Sequence, residues 1–184
     1  MWFFTIVFKL ARCGGLLSRI RPTTYGLIFH HFKKFDDVFV YFFLVKRRQA
    51  ILNLVDIINA HPADQPLSIL VSKVINASMY NFSTANRNAL IFIMKLFLSR
   101  TKNPEQVYME SDKLIPYWIQ ASARDKTHTF MTFNENELRL RLRAFQSIVR
   151  CPFFEDDPIA GTAEHKDIAF KITMRLFATA DLID

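Results

Sequence analysis

Ala89-Leu90-Ile91-Phe92-Ile93-Met94-Lys95-Leu96-Phe97-Leu98 is apolar at nine of its ten positions, with Lys95 the exception. A helix that is apolar all round has no face to offer solvent and belongs in an interior. The stretch therefore predicts an enclosed helix over residues 84–100, with Ser83 as its N-cap. On this reading the fold is all-α, an irregular bundle of about five to seven helices packed around that element.

The flanking sequence supports helices on both sides. Upstream, Ile51, Leu54, Val55 and Ile58 form a stripe that ends near His61-Pro62. Pro66 suits a first helical turn, and Leu67, Leu70, Val71, Val74 and Ile75 then share one face with Lys73 opposite. Downstream, Asn103-Pro104 breaks the pattern, a short helix is expected over Glu105–Met109, and another from Pro116 through Trp118 and Ile119 to Arg124. Asn134 and Glu137 resemble a capping box ahead of Leu138, Leu142, Phe145 and Val149. Residues 137–143 also alternate Leu with Arg, as a strand would. Leu, Arg and Glu are helix formers without β-branching, so helix is preferred. A loop is expected from Cys151 to Gly161, broken by Pro152 and Pro158. A last helix is expected from His165 to Ala178, with Ile168, Ala169, Ile172 and Leu176 as its stripe.

The N-terminal part differs in kind. The first fifty residues hold nine basic side chains against two acidic ones, a net +7, whereas the other 134 carry 15 of each sign and are neutral. Nine of the 19 phenylalanines and three of the four glycines fall in the same fifty. Trp2 to Arg12 reads as a helix with Phe3, Ile6, Val7 and Leu10 on one face and Thr5, Lys9 and Arg12 on the other, stopping at Gly14-Gly15. A second basic piece, Leu16 to Arg21, ends at Pro22. Tyr25 to Val45 is ambiguous between helix and strand, because Val38, Val40 and the aromatics favour strand while the length permits either. The expected organisation is a basic aromatic segment, 1–35, ahead of a helical domain, 36–184.

Composition excludes several classes. Hydrophobic residues make up 51% of the 184, ample for a folded core. Only Gly161 lies beyond residue 26, so Gly-rich phosphate loops are unavailable there. Cys13 and Cys151 form neither a metal spacing nor a disulfide framework. A membrane span needs about 20 mainly apolar residues, and the longest runs, Met1–Phe8 and Val38–Val45, fall short. Charges follow rather than precede the N-terminal apolar run, unlike a secretory signal. Residues 1–35 contain no acid, which leaves mitochondrial targeting open.

The candidate contacts are Phe3, Ile6, Val7 and Leu10 for apolar insertion, with Lys9, Arg12, Arg19 and Arg21 for charge. In a membrane interface such a face sits among acyl chains while its cations meet headgroups. The expected function is a non-enzymatic interaction or adaptor module that meets a protein partner or an anionic membrane surface, in an intracellular, cytoplasmic or peripheral-membrane location. Basic residues interleaved with aromatics also suit nucleic acid, but no helix-turn-helix, zinc or RNA-binding signature accompanies them. A third reading is a secreted bacterial effector-type helical protein, or a small enzyme using Glu155, Asp156 and Asp157 with Glu164, His165 and Asp167. His30-His31 with Asp36-Asp37 has no established ligand spacing, and Cys151 with His165 or His128 lacks a supporting motif. Arg139, Arg143 and Arg150 share a helix side with Glu135 and Glu137 close enough to neutralise part of it. No cofactor or metal is expected.

Overall fold

The computed structural model describes residues 34–83, 87–100 and 111–179. These form six helices, α1 (Phe35–Asn59), α2 (Leu67–Ser83), α3 (Arg87–Arg100), α4 (Ile115–Arg124), α5 (Glu135–Phe154) and α6 (Ala163–Phe177). The all-α bundle expected from periodicity is what the structure shows. The helix expected at Glu105–Met109 lies outside the described residues.

The chain divides into two units at Tyr41 and Phe42. Of the first, residues 34–41 are described, and they open α1. The Lys34 N–H donates to Asp37 Oδ2 at 2.9 Å and the Asp37 N–H returns a bond to the Lys34 carbonyl at 3.0 Å. This reciprocal arrangement satisfies orphan donors of the first turn. The ambiguity over Tyr25 to Val45 thus resolves as helix from Phe35 onward.

In the second unit the core gathers on α2, which packs against α3, α5 and α6. Leu67, Leu70, Val71, Val74, Ile75 and Met79 are all buried there. Ile51, Leu54 and Ile58 of α1 belong to the same cluster, as do Leu138, Leu142, Phe145, Val149 and Phe153 of α5. Trp118 of α4 stacks on Phe177 of α6 with ring centroids 4.8 Å apart, and Phe133 meets Phe177 edge-on at 5.7 Å.

Three expectations change in detail. The enclosed position passes from the Ala89–Leu98 stretch to α2. In α3, Ile91 and Phe97 are buried outside that core cluster, Phe97 lies against Phe43 of α1 at 5.4 Å, and Phe92 is 59% exposed. Composition reports how apolar a helix is, whereas enclosure also needs neighbours on every side. Ser83 ends α2 rather than capping α3. The buried stripe of α6 is His165, Ala169, Thr173 and Phe177, and it leaves Ile168 and Ile172 exposed at its edge. A stripe rotated by one position exchanges branched aliphatics for a histidine and a threonine, which hydropathy alone cannot favour.

Candidate functional site

Phe3, Ile6, Val7, Lys9, Leu10, Arg12, Arg19 and Arg21 lie outside the described residues, as do His30 and His31. The remaining candidates can be placed.

The loop expected to begin at Cys151 begins instead after Phe154, because α5 continues through Pro152. A proline inside a helix has no N–H for the carbonyl four residues earlier, here that of Ile148. His165 of α6 supplies the missing donor, its Nε2 lying 3.0 Å from the Ile148 oxygen. Since a carbonyl only accepts, Nε2 carries the proton and Nδ1 is left to accept the Gly161 N–H at 3.0 Å. Both ring nitrogens of this buried histidine are therefore committed to backbone. The Thr162 hydroxyl caps α6 by accepting the His165 N–H, and Asp157 Oδ1 accepts the Ile159 N–H at 2.9 Å within its own turn. The acidic loop is organised as a helix-to-helix turn, and Glu155, Asp157 and His165 do not converge on one point.

The arginine face of α5 is similarly engaged. Arg139 pairs with Glu135 at 2.8 Å and with Asp112 at 3.4 Å, and Asp112 lies 3.9 Å from Arg143. Arg141 pairs with Glu137, donates to the Leu176 carbonyl and rests over the Phe133 ring. Asn134 caps α5 through the Glu137 N–H at 2.9 Å, but the Glu137 carboxylate goes to Arg141 rather than back to the cap. Arg150 reaches Gln146 at 3.4 Å. Cys151 and His128 are exposed, and among the described residues no cluster of three or more His, Cys, Asp or Glu could hold a metal ion.

A densely bonded polar centre among the described residues, around Asp125, was not among the candidates. Asp125, just past α4, accepts the Thr127 N–H (2.9 Å) and hydroxyl (2.6 Å) on Oδ1, and the Thr129 (2.8 Å) and Phe130 (3.1 Å) amides on Oδ2. The Thr127 proton is thereby spent on the carboxylate, so the Thr129 hydroxyl donates to Thr127 at 2.8 Å and accepts the first amide of α2, Leu67, at 2.9 Å. Every proton in this relay has one allowed direction. Burial alone would raise the Asp125 carboxyl. The bonds from Thr127, Phe130 and Thr129 outweigh it and hold the group below its ordinary 3.8.

Beside it, Arg124 donates to the Ile58 and Asn59 carbonyls at 2.6 and 2.9 Å, closing the C-terminus of α1. His61 is buried, with Nε2 3.0 Å from the Gln65 carbonyl and Nδ1 without a hydrogen-bond partner. Burial lowers its pKa below 6.5, and Lys73 and Arg124 act in the same sense against the bond to Gln65 and the charge of Asp125. The sequence signal was Asp-x-Thr-x-Thr directly after a helix, the composition of an Asx turn. Its meaning depends on Leu67, 62 residues away. This arrangement anchors helix ends. No family model, no curated protein and no solved structure matches this chain.

Proposed function

We propose that the protein is a helical interaction module that works peripherally at an anionic membrane surface, its basic aromatic N-terminal segment making the contact. The observation that carries this reading is the charge partition, a net +7 within the first fifty residues ahead of a neutral remainder. It is supported by the employment of His165, Asp125 and Arg141 in internal hydrogen bonds of the helical body. No helix among the described residues is long and apolar enough to cross a membrane, and the contact proposed for the N-terminal segment is a lateral one in the interface.

Each basic residue near an anionic surface contributes about 1 kcal/mol. Replacing Lys9, Arg12, Arg19 and Arg21 together by glutamine should then lower the affinity of the full chain for vesicles containing phosphatidylserine by about a hundredfold or more. Co-sedimentation with phosphatidylcholine vesicles, with and without phosphatidylserine, measures this. Equal binding of the two proteins would reject the reading, and salt-steep binding to oligonucleotides with indifference to lipid would replace it with nucleic-acid recognition.

A further inference from the structure

The turn between α1 and α2 is fastened to the segment that follows α4. The Lys126 N–H donates to the Ala63 carbonyl at 2.8 Å and the Leu67 N–H to the Thr129 hydroxyl at 2.9 Å, while Arg124 donates to the Ile58 and Asn59 carbonyls. His61 of the turn is 5% exposed and packs on Phe130 of the facing segment, ring centroids 6.0 Å apart. A carbonyl only accepts, so Nε2, facing that of Gln65, carries the proton of the neutral ring and Nδ1 keeps a lone pair. Nδ1 is buried without a hydrogen-bond partner.

A second proton, taken from solvent, must go to Nδ1, where it makes a buried charged donor that no acceptor meets. The charged groups acting on the ring are Lys73 of α2, Arg124 at the end of α4 and Asp125 beyond it. Cations therefore outnumber anions around a group about to become a cation. Asp56 of α1 and Asp64 of the turn are exposed. Asp125 has both oxygens engaged by Thr127, Thr129 and Phe130, so it cannot turn to the ring without releasing them. We propose that these contacts form an acid-released latch: protonation of His61 at Nδ1 drives the ring out to water, and the turn at residues 60–66 parts from residues 124–130 while the body built on α2, α5 and α6 stays folded. That body is held by Leu70, Val74, Leu142 and Ala169, buried apolar side chains that do not titrate. The latch is independent of the membrane reading and of the N-terminal segment.

Amide exchange of the full chain, followed residue by residue by NMR and expressed as protection so that the intrinsic pH dependence cancels, tests the latch. As pH falls below 6.5 the Leu67 and Lys126 amides should lose protection about tenfold per pH unit. Dilute urea should leave that loss unchanged, which marks a local opening. Leu142, buried in α5, should stay better protected and respond to urea. His61→Gln keeps a donor toward Gln65 but takes no second proton, and it should abolish the acid dependence. Persistence of that dependence in the variant would assign it to another group and overturn the latch. Parallel loss at Leu67 and Leu142 with one urea dependence would mean that acid unfolds the whole body, and overturns it too. Unchanged protection at Leu67 and Lys126 does the same, the proton then being accommodated in place by Gln65 Oε1, which is buried and unpartnered. Should His61→Gln fail to fold, the parent decides alone: the acid dependence must level off at the pH where the His61 ring resonances titrate, and a mismatch overturns the latch.

Discussion

Asp125 accepts four hydrogen bonds, so its replacement leaves four donors to find new partners at once. Asp125→Ala should destabilise the protein by about 2–4 kcal/mol in urea unfolding, because unmet part-buried donors cost more than a bond contributes. The carboxyl is held below 3.8. The stability it confers is complete above that pH and lost as acid titrates it in the fold. His61 acts in a higher window. Its folded pKa lies below 6.5, so on acidification the unfolded chain binds a proton before the folded one does. Stability is therefore full above 6.5 and declines as pH falls from there through the folded value. The added proton would sit on Nδ1, which is buried and has no acceptor. His61→Gln should flatten the loss that sets in as pH falls below 6.5, measured as the change in urea midpoint against the parent. An equal slope in both proteins would show that other groups control it.

At the level of elements, the α5–α6 corner shows how one helix answers a defect in another. Pro152 withholds an N–H from the Ile148 carbonyl and His165 supplies one. His165→Ala should cost about 2–3 kcal/mol, since it strands that carbonyl and the Gly161 amide. In a Pro152→Ala background the helix regains its own donor, and the cost of His165→Ala should fall by about 1 kcal/mol. A double-mutant cycle with zero coupling would refute the link. The separate roles of α2 and α3 are tested in the same way. Leu70→Ala, in the fully buried face of α2, should cost about 3 kcal/mol or more, whereas Phe92→Ser on α3 should stay within about 0.5 kcal/mol. Most helices were readable because their apolar spacing matched the helical period, as with Leu67 to Ile75 and Leu138 to Val149. The rotated stripe of α6 was not, because His165 is buried to satisfy a carbonyl on α5 and Thr173 is buried with its hydroxyl unpaired, and neither shows in hydropathy.

Across the whole molecule, the sequence determined that the chain is helical, where α2, α5 and the later half of α1 carry their buried residues, and that all net charge resides in the first fifty residues. These follow from local periodicity and from counting, and neither needs a partner to be named. The tertiary structure alone decided which helix lies innermost. Nine apolar residues in ten describe the Ala89–Leu98 stretch, but enclosure is a property of neighbours, and α2 has three helices against it. It also decided that Asp125, His61 and His165 serve helix ends. Asp125 is tied to α2 through Thr129 and Leu67, His165 reaches back to Ile148, and Arg124 closes α1 from 65 residues away. Such bonds join groups far apart along the chain, and the spacing of residues carries no record of them. The physical reason is that periodicity encodes which face of a helix is apolar, while the choice of what covers that face is made only when the helices meet.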